Sequence, residues 1–482
     1  MDKKEIYKFI DENAGVFEEL SDKIWSCPEL SLKEYKSAET YIALLEKLGF
    51  EVETGLAGVK TAFSGSFGSG KPVIGILGEF DALSGLSQEA GETSRRELVP
   101  GGCGHGCGHN LLGAGALAAA CAIKEYLAQK GPGGGTVIFY GCPGEEGGAG
   151  KAFMAQKGLF YGLDAALTWH SDDSNQVSSG SYLSSIQVEY KFEGVAAHAA
   201  GCPHLGRSAL DAVELMNIGV QFLREHIPTT DRVHYSITDA GGVSPNVVQP
   251  TAQVLYMMRS DTVPKAKALV KRVEDIARGA ALMTGTTLKR RFIDGTADVV
   301  TNSVLEKALY KNFSEIELPQ YSAGEIAFSK ALYDTYEKDG LPGFASHFDP
   351  EIARFVDEKT DGGKKPQNDF LMPYYHCEVT LPGSTDVGDV SWQTPTAQIN
   401  TATFPSGVPG HSWQIVSAGK STAAKKGMLL AAKVLAATAA DLFENPELLA
   451  EARAEFEKKA APGYVCPIEE GAVPAIAGEK IE

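Results

Sequence analysis

At 482 residues the chain is too long for one compact core, and two domains, one interrupted by an insertion, are expected. A net charge of −18 argues against nucleic acid or an anionic membrane as a partner, and the composition, with 53 glycines as its one excess, is that of a soluble globular protein. The first residues open straight into a charged amphipathic helix, no uninterrupted apolar run reaches membrane-spanning length, and eight cysteines without a paired framework read as reduced thiols, so a cytoplasmic protein is expected.

Apolar positions Ile6, Phe9, Ile10, Val16, Phe17, Leu20 and Ile24 recur at near-helical spacing, which predicts a helical run over 4–26, and a second helix fits 37–48. Residues 72–81 are almost continuously apolar until Glu79 and Asp81, the pattern of a strand buried on both faces. A polar, glycine-rich loop then leads into Gly102-Cys103-Gly104-His105-Gly106-Cys107-Gly108-His109-Asn110, followed by an apolar helix over 111–130. Strands at 136–141 and 164–170 flank a helix at 150–157. This alternation predicts an α/β fold with a mostly parallel sheet, whose functional groups gather outside the carboxyl ends of its strands.

From Ser184 the pattern changes. Strands at 186–192, 233–238, 252–260 and 287–293, with helices at 206–226 and 264–283, give the order βαββαβ of a ferredoxin-like α+β unit. The expected division is a catalytic domain from 1–183 and 296–482, interrupted by an inserted domain over 184–295. Beyond the insertion, helices fit 302–315, 323–338 and 421–443, the stretch around Gly362 reads as an exposed loop, and the C-terminal tail as loose or surface-laid.

The chemistry is concentrated at the predicted strand ends. Cys107 and His109 stand two residues apart on one glycine-rich turn, and a thiolate with a neutral imidazole suits zinc or a similar divalent ion. Two ligands do not define a site, and a lone histidine is more often structural than metal-binding. Glu145 and Glu146 follow a buried strand between glycines, so that one carboxylate is able to bind metal while its neighbour faces a bound water. His170 ends a strand and His411 sits in a Gly-His-Ser turn; with Cys107, His109 and Glu146 they make five ligands, enough for two ions sharing a bridge. His105 fits a supporting hydrogen bond better than a ligand role. In the inserted domain, His198 lies in a loop of alanines, Asn246 follows Ser244-Pro245, and Arg259 ends a strand, where its guanidinium suits a carboxylate.

These residues together resemble the M20 metallopeptidases and amidohydrolases, in their aminoacylase-like branch. The matching strings are Gly78-Glu79-Phe80-Asp81, His105-Gly-Cys107-Gly-His109-Asn110, Pro143-Gly-Glu145-Glu146-Gly-Gly148, Trp169-His170, the loop around His198, Asn246 and His411-Ser412, and they run through most of the chain. The resemblance implies two divalent ions per subunit, zinc or manganese, held by Cys107, His109, Glu146, His170 and His411, with Glu145 as general base. It makes the insertion a lid that dimerises, in which His198 polarises the scissile carbonyl in the active site of the other subunit while Asn246 and Arg259 hold the substrate carboxylate. It also implies an N-acyl-glutamate substrate with an aromatic acyl group, and a homodimer or a heteromer with a homologous sister subunit. Where many of these enzymes carry a histidine ligand two residues before the aspartate matching Asp81, this chain has Glu79. Glu79 is expected to be a surrogate ligand or to stand with Asp81 and His105 behind the ligands.

The expected reaction is amide hydrolysis in which Glu145 takes a proton from water and returns it to the leaving amine. A dipeptidase or N-acyl-amino-acid deacylase on the same scaffold, or a catalytically silent partner subunit, are the alternatives.

Overall fold

The computed structural model describes residues 1–338, 340–479 and 481. Along the chain its strands are β1 (Glu51–Thr54), β2 (Phe63–Ser69), β3 (Val73–Glu79), β4 (Gly135–Cys142), β5 (Ala165–Asp172), β6 (Gln176–Ser178) and β7 (Ser181–Tyr182). There follow β8 (Ser184–Glu193), β9 (Arg232–Asp239), β10 (Thr251–Ser260), β11 (Thr287–Thr296), β12 (Thr380–Leu381) and β13 (Thr396–Ala402).

The larger sheet has the order β1-β2-β4-β3-β5-β13-β6. Its four central strands are mutually parallel, while β1, β2 and β6 are antiparallel additions at the edges. The centre is therefore the parallel sheet that the alternating sequence predicts; the β1–β2 hairpin, β6 and β13 are strands the pattern did not reveal. Ile74 and Ile76 of β3 point into one apolar layer and Leu77 into the other, which accounts for the continuous apolar run.

The His109–Lys130 helix packs over one face of the sheet, beside the long Thr422–Glu444 helix. It is the one helix among the described residues long and apolar enough to cross a membrane, and 83% of its apolar window is buried in this core. Small residues let it lie close: a Cβ at Gly113 would come within 2.3 Å of the Tyr41 hydroxyl and 2.7 Å of the Glu79 carbonyl. The opposite face is covered by the Gly150–Gln156 helix and by Phe153, Phe160 and Leu163.

Between β7 and the return to the larger sheet, the chain builds an antiparallel sheet of order β11-β8-β10-β9, backed by the helices Ala209–Arg224 and Val263–Thr284. This is the ferredoxin-like unit, with every predicted strand and helix present. Two expectations change elsewhere. The N-terminal run is two helices, Lys3–Glu12 and Ala14–Trp25, separated at Asn13, whose side-chain amide donates to the Phe9 carbonyl. The helix expected over 323–338 stops at Tyr333. Of the loose and surface-laid readings of the C-terminal tail the second holds: Pro446–Lys459 is helical, and the segment beyond it is anchored by buried Ile468, by Tyr464 donating to Asp389, and by an Arg290–Glu469 ion pair.

Candidate active site

The glycine-rich loop, the β4–helix turn and the ends of β3 and β5 converge in one cleft. Gly108 precedes the His109–Lys130 helix with φ +78°, and a Cβ there would lie 2.6 Å from the Phe404 ring, so this turn requires glycine. The turn sets Cys107 and His109 on the cleft floor, where Cys107 Sγ lies 3.5 Å from His170 Nε2. His170 donates from Nδ1 to the Ser171 carbonyl at 2.8 Å, which leaves Nε2 as the acceptor facing the thiol.

Three groups of side chains bring their donor atoms within 4.8 Å of one another: Cys107, His109 and His170; Cys107, Glu146 and His411; and Glu79, His109 and Glu145. Cys107 is shared by the first two. His411 reaches the cleft from a residue with φ +53°, remains half exposed, and places Nε2 3.3 Å from Glu146 Oε2. The structure thus brings together all five residues for which the sequence suggests metal ligation. His109 Nε2 and Glu146 Oε1 are buried without a hydrogen-bond partner, as is Glu79 Oε2. Buried polar atoms are seldom left this way, and lone pairs on sulfur, imidazole and carboxylate that converge without donors fit divalent ions.

Asp81 binds both halves of the cluster. It accepts from His109 Nδ1 at 2.9 Å, from the Ser31 hydroxyl at 2.7 Å and from the Glu146 backbone N–H at 3.0 Å. Against the upward push of burial, these bonds hold its carboxyl at about 2. His105 is buried behind His109 and Asp81; its Nε2–H donates to the Ile24 carbonyl at 3.0 Å, and burial, helped by the charge of His109, pushes its pKa down to about 4.

Glu79 is held on two sides. Oε2 faces His109 Nε2 at 3.4 Å, while Oε1 lies 2.7 Å from the ammonium of Lys151, which also contacts Asp386 Oδ1 at 2.5 Å. Lys151 and Asp386 are fully buried, and neither is apparent in the sequence, where a lysine on a short helix reads as solvated. For Asp386 the one local signal is its place in Gly383-Ser-Thr-Asp386-Val-Gly-Asp389, where glycines and carboxylates recur together.

Glu145 stands at the cavity wall beside these groups. Burial, reinforced by Glu79, Glu146 and Asp386, raises its carboxyl well above the usual range, which suits a group that must hold a proton and then release it. The cavity is about 320 Å³, lined on one side by Glu145, Glu146 and His411 and on the other by Arg259 and Asp294. Arg259 donates to the Ser384 hydroxyl at 2.7 Å and has no carboxylate partner among the described residues. His198 and Asn246 are not brought here. Both are exposed on loops beside β9: His198 Nδ1 accepts from the Ala200 and Gly201 backbone N–H groups, and the Asn246 carbonyl accepts from Ala199.

A profile of Peptidase family M20/M25/M40 matches residues 75–298, and one of the subunits of the p-aminobenzoyl-glutamate hydrolase of Escherichia coli K12 is 44% identical over 98% of this chain and 99% of its own. The chain belongs to peptidase family M20. As an M20 protein it is a hydrolase acting on an amide bond. The Xaa-Arg dipeptidase of Mus musculus is 29% identical over 93% of the chain and 91% of its own length. The M20 fold also appears in the crystal structure of an aminobenzoyl-glutamate utilization protein from Klebsiella pneumoniae, at a TM-score of 0.59 and 15% identity, covering 91% of this chain and 98% of that one.

Proposed function

We propose that this M20 hydrolase cleaves the amide of p-aminobenzoyl-glutamate, releasing p-aminobenzoate and glutamate. The observation that carries the reading is the position of Glu145, beside the clustered donor groups and across the same cavity from Arg259, the one lysine or arginine among the described lining residues. Full-length similarity to the Escherichia coli protein, whose name states that substrate, supports it.

Cys107, His109, Glu146, His170 and His411 would hold two divalent ions, zinc or manganese, which when bound lower the pKa of water and polarise a carbonyl. Asp81 orients His109 and the Glu146 backbone for that purpose. Arg259 receives a glutamate carboxylate through its guanidinium. The Glu145 carboxylate takes a proton from the attacking water and passes it to the departing amide nitrogen.

Residues 184–295 act in this reading as a lid and dimerisation domain on the catalytic body formed by 1–183 and 296–482. Exposed Tyr235 and Ile237 on the edge strand β9, near His198 and Asn246, support pairing with a second subunit whose cavity receives those two side chains. That second subunit is another copy or a homologous sister chain, in keeping with an Escherichia coli relative that is named as one subunit of its enzyme. All eight cysteines are free, in keeping with a reducing cytoplasm.

The test is hydrolysis of p-aminobenzoyl-glutamate by the chain alone, metal-stripped and then reloaded with zinc or manganese. Restored turnover supports the reading and a self-sufficient enzyme. Silence with both ions bound, persisting when a homologous sister chain is added, overturns it.

A further inference from the structure

The roof of the cavity is the open face of the ferredoxin-like sheet, and its register arranges six side chains in two rows. Arg259, Ser185 and Thr296 are paired across β10, β8 and β11, and Met257, Gln187 and Asp294 form the next row, two residues along each strand. Successive side chains on a strand alternate faces, so all six face the cavity. Asp294 belongs to the row because of a bulge: Phe292 pairs with Val188 and Asp294 with the adjacent Gln187, so that Ile293 is passed over. A regular strand would have placed Ile293 opposite Gln187 and aimed an apolar side chain at the substrate.

The bulge therefore delivers a carboxylate to a site where it is 3% exposed. Gln187 Nε2 donates to both oxygens of Asp294, at 3.0 and 2.9 Å. With its amide nitrogen committed, Gln187 has its carbonyl oxygen left as an acceptor, beside a carboxylate that is itself an acceptor. The row thus offers acceptors without a free donor, flanked by the apolar surfaces of Met257 and Tyr182. Arg259 and Asp294 lie on the two strands that flank β8, one row apart, at opposite corners of the cavity roof. A substrate with a carboxylate at one end and a ring amine at the other presents one complementary group to each.

We propose that Asp294 and Gln187 form the subsite that recognises a hydrogen-bond-donating amine on the aromatic acyl group, making them specificity-determining residues. The proposal rests on the p-aminobenzoyl-glutamate reading and deepens it. Met257 and Tyr182 hold the ring, and Asp294 and Gln187 Oε1 accept from the amine.

The experiment compares kcat/KM for p-aminobenzoyl-glutamate and benzoyl-glutamate, which differ in that amine alone, using the metal-loaded full chain and its Asp294→Asn and Gln187→Met variants. Competition by p-aminobenzoate against benzoate provides a binding readout independent of turnover. The wild type is expected to favour the amine-bearing substrate and product by about tenfold or more, since a buried polar site left unpaired discriminates strongly. In either variant the preference, read as the ratio of the two kcat/KM values and as the ratio of the two product affinities, should fall to within about threefold. An active wild type with no preference, or active variants that keep the full preference, overturns the subsite while leaving the proposed function intact. Failure of the wild type to hydrolyse either substrate overturns the proposed function, and the subsite with it.

Discussion

Lys151 is fully buried and holds its ammonium 2.7 Å from Glu79 Oε1, directly beneath the donor groups of the cleft. Where many family members are expected to carry a histidine, this chain has a carboxylate neutralised from below by a cation. Lys151→Met would leave Glu79 and Asp386 buried without their counter-charge, and breaking such a pair from one side costs about 3–5 kcal/mol. Denaturant unfolding should show that loss, and a change below about 1 kcal/mol would show that Lys151 is not what offsets the burial of the two carboxyl groups.

Glu145→Gln preserves the shape of the side chain and removes its capacity to carry a proton. Turnover should fall by at least about a thousandfold, within the range attributed to positioned acid–base groups, while metal content measured by elemental analysis stays at the wild-type level. Substantial residual activity would remove Glu145 from the proposed mechanism.

Asp81→Asn tests the scaffold behind the ligands. The substituted side chain, with one oxygen replaced by an NH2 donor, would accept fewer bonds from His109, Ser31 and the Glu146 backbone, and loss of a comparable orienting group lowers metal affinity by about 10–100-fold. Titration with a competing chelator reads this directly, and an unchanged affinity would confine Asp81 to a packing role.

His198 and Asn246 lie outside the cavity of their own chain, so the contribution of His198 should be delivered to another subunit. Mixing Glu145→Gln chains with His198→Ala chains should then recover activity that neither has alone, because one site of each hybrid dimer has both groups intact. Two inactive variants that stay inactive after subunit exchange would argue that His198 serves its own chain.

Asp389 supplies a pH signature away from the cleft. Buried and accepting from Tyr464 and from the Ala297 backbone, it has its carboxyl pushed up to about 8, chiefly by burial. An unfolded aspartate titrates near 4, so between about pH 4 and 8 the folded chain keeps a proton that the unfolded chain has lost, and this group's contribution to stability falls as pH rises through that window. Asp389→Asn should therefore gain on the wild type steadily from about pH 5 to about pH 8 in urea denaturation; parallel stability curves would refute this.

Much of the candidate site was legible because the sequence marks the strand ends and glycine-rich turns that carry its donor groups. The apolar run before Glu79 and Asp81 marked β3, and glycines around Cys107, His109 and Glu145-Glu146 marked turns that present side chains. What was hidden depends on pairing across long stretches of chain. Lys151 and Asp386 meet from separate segments, and nothing local distinguishes a buried lysine from a solvated one. β13 carries Thr396, Gln398, Asn400 and Thr401, polar residues that hide a strand lying inside the sheet, with Thr401 donating to the Gly427 carbonyl and Asn400 to Asp172. The bulge at Ile293 is likewise invisible until β8 and β11 are seen side by side.

His411 lies far beyond the inserted domain, whereas the other four residues we assign to the metal centre precede it. During synthesis, Cys107, His109, Glu146 and His170 therefore leave the ribosome well before the last ligand exists. In that assignment the complete centre would be assembled only when the chain has made the ferredoxin-like unit and come back to the sheet, so acquisition of the full ion complement would report that nearly the entire polypeptide has been made and threaded into place.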